Sequence, residues 1–487
     1  MDSKSSQLAD SEAAQYDLEK SAAPPDQITS REGTEQKTES SGDTGAVPLS
    51  ELTDEPPVDW DSSQQQNGPS LYSGNDREDN GAPLAEVVSM PPVDREPSTT
   101  SRRHPQPSSS KRSSSPPSVS NVATKIYIIS YLIFFSILGT LARLGVQALT
   151  FYPGAPVVTG VLWANVGGSI LMGFFLEDRS IFREEWGIGP DRSRDVLLGG
   201  DADAIAAWVK KHKTVKKTIP LYIGLTTGFC GSFTSFSSFM RDVFLALSND
   251  LPVAASSSTV DRGRGDSFMA VVAVIVVTVT LSLSSLYFGA HLAVALDPWT
   301  PVLRFRLIRK VLDRVVVFLA WGCWLGAVFM AIWPPDRHRS TETWRGRAIF
   351  AIVFGPVGCL FRFYVSIWLN ARVPTFPLGT FTVNIVGTAI EGMCYDLQHV
   401  ANIGAGAGAG IASSSSLVGC QVLQGVMDGF CGCTTTVSTW VAELSSLGRR
   451  RYAYLYGSAS VGIALALLVV IMGSLRWTIG FASPVCT

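Results

Sequence analysis

The distribution of apolar and polar positions divides the chain into two different materials. Up to about residue 120, apolar residues never gather into a run, and Ser, Pro, Gln, Asp and Glu dominate. From Ile126 onward, apolar stretches of about 20 residues recur, the length an α-helix needs to cross a bilayer. The pattern predicts nine membrane spans, at 127–150, 157–177, 219–246, 268–292, 312–333, 347–370, 377–398, 418–445 and 452–474. A charged loop containing "REEWGIGPDRSRD" and "KKHKTVKK" follows the second span. "GAGAGAGIASSSS" reads as a flexible loop between the seventh and eighth.

The overall composition, 46% hydrophobic and 16% charged, averages over this division. Residues 1–120 cannot bury enough apolar surface to offset their chain entropy, so a disordered cytoplasmic tail is expected there. Its end, "SSSKRSSSPPSVS", suits either a phosphorylatable linker or a plain spacer. No apolar stretch lies near Met1, so no cleaved signal peptide is expected. The formal net charge of −2 selects no partner, and nothing points to nucleic acid. Lys and Arg at the span ends do carry information. Lys125, the 209–217 run, "RFRLIRK", Arg372 and Arg449 to Arg451 fall on one side, which sets the N-terminus in the cytoplasm and the C-terminus outside. Arg337, Arg339, Arg345 and Arg347, after the fifth span, are the exception.

Candidate chemistry is sparse. Five scattered His and eight Cys without zinc-type spacing provide no catalytic or metal constellation, and the chain is not expected to be an enzyme. Cys431 and Cys433 read as small buried residues. Glu391, in "IEGMCYD", is the one intramembrane carboxylate of note, expected near a helix end or paired.

The chain repeats itself. "GTLARL" (139–144) returns as "GCLFRF" (358–363), and "GVLWANVGGSILMGF" (160–174) as "GTFTVNIVGTAIEGM" (379–393). Arg143 and Arg362, like Asn165 and Asn384, are 219 positions apart. "GFCGSFTSFSSF" (228–239) returns as "GFCGCTTTVSTW" (429–440) at an offset of 201. The expected architecture is all-α and polytopic: two four-helix repeats, 126–292 and 347–474, joined by one linking span, 312–333. Four spans bring the chain back to its starting side, so the fifth inverts the second repeat. Inverted repeats recur in transporters, with ion sites near the midplane where helices break.

Several motif residues have two readings. Arg143 and Arg362 can serve a function at membrane depth or snorkel from a helix end. Asn165 and Asn384 can join helices or offer an amide to an anion. Gly228, Gly231, Gly429 and Gly432 can permit a break that frees carbonyls for a hard cation or let helices cross closely. Phe236 and Phe239 share a helix face; their positive ring edges could favour a small anion, or the rings could simply pack.

Taken together, G-x-x-x-R (Gly139 to Arg143), G-x-x-x-x-N-x-x-G (Gly160 to Gly168) and the Gly228–Phe239 motif, with their second copies, resemble the Fluc (CrcB) fluoride-channel family, and more closely its fungal two-repeat exporters. The resemblance covers both four-helix units and not the tail. It implies a passive, electrogenic, fluoride-selective channel of the plasma membrane that protects the cell from fluoride. It also implies a fused pseudo-dimer that works as a monomer in the lipid bilayer. A structural Na⁺ would be held by the backbone carbonyls of Gly231, Thr234, Gly432 and Thr435. Pore residues would be Asn165, Asn384, Phe236, Phe239, Thr380, Ser438, Thr439, Tyr454 and Ser458, with Arg143 and Arg362 in vestibules.

The two copies depart from the family pattern in complementary ways. Val437 and Trp440 stand where the second copy would carry Phe, and Val161 stands where Thr380 keeps the hydroxyl. The first half keeps the rings and the second keeps the hydroxyl track, so one working pore across the repeat interface is expected. The rival reading is a coupled transporter of another small solute.

Overall fold

The structure is a computed structural model and describes residues 121–152, 155, 159–183, 215–251, 263–333, 345–400, 414–484 and 486. The tail 1–120, most of both loop segments quoted above, and Arg337 and Arg339 lie outside the described residues. Helices occupy all nine expected stretches. They are α1 (Asn121–Thr150), α2 (Val161–Glu177), α3 and α4, α5 (Arg264–Ala295), α6 (Asp313–Ile332), α7 (Phe350–Asn370), α8 (Leu378–His399), α9 and α10, and α11 (Arg450–Thr478). The third and eighth spans are each two helices. Here α3 runs through Pro220–Ile223, a π-helical stretch Gly224–Cys230 and Gly231–Phe233, and α4 is Phe236–Ser248. In the second repeat, α9 runs through Ser414–Gly425, Val426–Cys431 and Gly432–Thr434, and α10 is Ser438–Ser446.

By length and composition, α1, α5, α6, α7 and α11 can each cross a membrane. The others deviate for identifiable reasons. Two are broken, α2 has 17 residues, and α8 carries buried Asn384, Thr388 and Glu391. The largest apolar cluster joins the repeats: Phe236, Phe239 and Val243 of the first pack with Val437, Trp440 and Leu468 of the second. The linking helix α6 buries only one stripe, Asp313, Val316, Ala320 and Ala327. Trp321 donates to Ser130 Oγ at 3.1 Å and Trp324 to the Val353 carbonyl at 3.0 Å, which fastens α6 to α1 and α7. Its face toward surrounding lipid stays apolar, as a peripheral span requires.

Small residues close the crossing of α2 and α5. A methyl on Gly173 would stand 1.9 Å from the Leu286 carbonyl, and one on Gly289 1.9 Å from that of Ile170. Beyond α11 the chain turns back. Ala482 N donates to the His399 carbonyl at 2.9 Å, Phe481 meets the Tyr395 ring edge-on at 5.2 Å, and Cys486 forms a disulfide with Cys420 of α9. No local motif marks this bond, whose cysteines are 66 positions apart. Cys431 and Cys433 are buried thiols, as their setting suggested.

Candidate functional site

Both motif copies interrupt their helix at the same point, and it is not a glycine. Gly231 (φ −67°) and Gly432 (φ −63°) are ordinary right-handed helix. The extended residues are Thr234 (φ −90°, ψ 151°) and Ser235 (φ −140°, ψ 119°) in one repeat, and Thr435 (φ −96°, ψ 154°) in the other. Of the two readings of Gly231 and Gly432, the one in which they open the break is corrected. Their missing side chains make room for arginine: a methyl on Gly231 would lie 1.8 Å from Arg362 Nη1, and one on Gly432 2.3 Å from Arg143 Nη2.

The two arginines are corrected as well. They neither line vestibules nor snorkel, being 1% and 3% exposed at the centre of the bundle. Arg143 donates to the Ser232 carbonyl at 2.9 Å, to that of Gly432 at 2.7 Å, and to that of Asp428. Arg362 donates to the Cys433 carbonyl at 2.8 Å and the Thr227 carbonyl at 2.7 Å. Thr227 and Asp428, like Ser232 and Cys433, differ by the repeat offset of 201. Each guanidinium therefore grips its own broken helix and the other repeat's. A charge so buried is tolerable only when its donors are satisfied.

Each break is clamped by the asparagine of its own repeat. Asn165 Oδ1 accepts from Ser235 N at 2.9 Å and its Nδ2 faces the Ser235 carbonyl at 3.4 Å. Asn384 treats Thr436 identically, at 2.9 and 3.3 Å. The threonines then cap across the pseudo-twofold. Thr234 Oγ1 accepts from the backbone N–H of Val437 and Ser438, both at 3.2 Å, and Thr435 Oγ1 accepts from Ser237 N at 3.0 Å. Their hydroxyl protons go back to Cys230 and Cys431 of their own helices. Ser438 Oγ donates to the Cys230 carbonyl at 3.2 Å, and Thr439 N to Thr436 Oγ1 at 3.4 Å. Side-chain oxygens thus take up backbone N–H groups at the starts of α4 and α10, as hydrocarbon surroundings demand. Thr234→Val and Thr435→Val should each cost about 1–2 kcal/mol, the value of a helix cap. Equal falls in the midpoint of thermal unfolding in detergent would show the two caps to be equivalent.

The rings lie beside the breaks. Phe236 and Phe239 are fully buried, edge to face at 5.8 Å. Phe236 also meets Trp440 of the other repeat, at 5.3 Å and 67°. Trp440, Tyr454 and Ser458 share the wall of a groove of about 990 Å³ with Ile275, Val279 and Tyr287 of α5. Behind it, Thr380 and Tyr456 each donate to Glu443, at 2.6 Å to Oε1 and Oε2 respectively. Asn370 caps the start of α8 by accepting from Gly379 N and Thr380 N. The hydroxyl pair read from the sequence, Tyr454 and Ser458, faces the groove, whereas Tyr456 and Ser460, with the same spacing two residues on, occupy the buried face.

Glu443 went unnoticed in the sequence because it sits near a helix end beside three arginines. The repeat offset of 201 was the available signal, since it pairs Glu443 with Asp242. Among the described residues the first repeat has no equivalent network. Val161 replaces the hydroxyl, and Asp242 lies 3.7 Å from Arg241, which bridges to Glu391 at 2.9 Å. Glu391 is therefore paired and lies within α8. A second cavity, about 760 Å³, adjoins this cluster and is lined by Val161, Arg241, Asp242, Arg347, Gln424 and Asp428.

The donor chemistry at the junction of the breaks fits a hard cation in part. Extended Thr234 and Thr435 carry carbonyls outside helix interiors, and all four candidate ligands are oxygens. The Gly432 carbonyl already accepts from Arg143 and would be shared.

The model of the family "CrcB-like protein, Camphor Resistance (CrcB)" matches residues 130–290 and 349–474; the second match begins 219 positions after the first, the offset of the arginine pair. "Fluoride export protein 1" of Neurospora crassa is 56% identical over 383 residues, covering 76% of this chain and 70% of that protein. The Candida albicans "Fluoride export protein 1" is 32% identical over 354 residues, covering 72% and 81%. The "Fluoride-specific ion channel FluC" of Chlorobium chlorochromatii is 32% identical over 133 residues, covering 26% of this chain and 91% of that protein. No solved structure matches.

Proposed function

The chain belongs to the CrcB family, and from that premise we propose that it exports fluoride through a passive, electrogenic pore formed between its two repeats. One observation carries the reading. The Phe236 ring of the first repeat meets Trp440 of the second at 5.3 Å, on the wall of the groove that holds Tyr454 and Ser458. The Thr380–Glu443–Tyr456 network lies in the second repeat, which supplies Trp440, Tyr454 and Ser458 to that groove. Ring edges carry partial positive charge and suit a small anion stripped of water. The opposite pathway has Val161 and Val437 at the corresponding places and the Arg241–Glu391 pair beside it, which favours a single working pore.

Fluoride enters cells as neutral HF and dissociates at cytosolic pH. An inside-negative membrane then drives the anion outward with about 2.3 kcal/mol per 100 mV, so no pump is required. We assign the protein to the plasma membrane, acting as a monomer, with its N-terminus inside. The Cys420–Cys486 disulfide supports an external C-terminus, because such bonds persist on the oxidising side. Na⁺ held by the carbonyls of Gly231, Thr234, Gly432 and Thr435 would be structural, its contribution being to hold the two breaks together.

The experiment imposes a potassium diffusion potential on proteoliposomes. Fluoride flux should follow the voltage and ignore a pH gradient. Flux that saturates and needs the proton gradient would instead identify the coupled transporter.

A further inference from the structure

We propose that the indole N–H of Trp440 is the hydrogen-bond donor that receives the desolvated anion at the rings, a role that rests on the reading of the chain as a fluoride channel. Trp440 occupies the position of Phe239 at the repeat offset of 201. By sequence alone it looked like the loss of a ring. In the structure the ring remains, packed edge to face on Phe236 at 5.3 Å, and it gains a polar atom that phenylalanine lacks.

That atom is left over. Trp440 is 1% exposed, and its Nε1 has no hydrogen-bond partner among the described residues. A buried indole N–H ordinarily finds an acceptor, and without one it bears the whole desolvation penalty of the donor. The neighbouring donors are committed elsewhere. Thr380 and Tyr456 both donate to Glu443, and Asn165 and Asn384 clamp the two breaks. Trp440 lines the groove on one side and touches Phe236 on the other, so it stands between the groove and the ring. A small, hard anion is the acceptor such a donor takes most strongly, since hydrogen bonds strengthen with charge density on the acceptor.

The test uses Trp440→Phe, which keeps the ring and removes the N–H. Fluoride flux in proteoliposomes should fall at least about tenfold, as expected for loss of one hydrogen bond to a charged group, while the elution profile and thermal midpoint stay those of the wild type. A second measurement does not depend on flux. In ¹⁵N-tryptophan-labelled protein in nanodiscs, the indole resonance that disappears in Trp440→Phe should shift when sodium fluoride is added and not with sodium chloride. Wild-type flux with an unmoved resonance, or a Trp440→Phe variant that conducts like wild type, overturns the proposal for Trp440. Absence of fluoride flux from the wild type overturns the channel reading itself.

Discussion

Gly231→Ala and Gly432→Ala should each abolish the folded channel rather than merely slow it. The added methyl would fall 1.8 Å from Arg362 Nη1 in one case and 2.3 Å from Arg143 Nη2 in the other. On a protein surface a guanidinium would swing into water. Here it is buried and bonded to carbonyls of both repeats, so moving it strands a charge and leaves two backbone acceptors (for Arg362) or three (for Arg143) without their donor. Breaking a buried charge from its partners costs about 3–5 kcal/mol, a large share of the ~5–15 kcal/mol that holds a domain together. Both variants should aggregate on extraction or lose their cooperative thermal transition. Combining Gly231→Ala with Arg362→Leu should recover part of the lost material, because the displaced charge is gone. A well-behaved, active Gly231→Ala protein would refute the account of the arginine cross-grip.

The second large effect is an inequality between the repeats. Thr380→Val removes a 2.6 Å donor from Glu443, and Tyr456→Phe removes the other. Either should lower fluoride flux by about a hundredfold, the usual consequence of removing one positioned polar group from a site of this kind. Val161→Thr and Val437→Phe, which restore family residues in the first and second repeats respectively, should leave flux near wild type. The asparagines do not discriminate between the pathways, since Asn165 and Asn384 hold their breaks with the same pair of bonds. Equal losses from Thr380→Val and from disruption of Asp242 would argue for two working pores.

Most of the framework is legible in the sequence. The apolar runs mark nine helical spans, two of them broken, and two shared offsets mark the repeat, because span length and motif order are properties of the linear chain. What stayed hidden depends on contacts between distant segments. Gly231 and Gly432 allow two readings in the sequence, a hinge or a close crossing, and only the arginine of the other repeat lying against each decides between them. The break itself sits at Thr234 and Thr435, whose extended backbone is fixed by capping the opposite helix. Tyr454–Ser458 and Tyr456–Ser460 share the same spacing, and only packing decides which pair is buried. The Cys420–Cys486 bond joins segments with no local motif between them.

The most direct measurement is the release of fluoride, followed with an ion-selective electrode, from proteoliposomes of the wild-type chain loaded with equal fluoride and chloride. The account predicts rapid loss of fluoride once a potassium ionophore relieves the charge, with chloride retained. Retention of fluoride, or escape of both halides at the same rate, would contradict it.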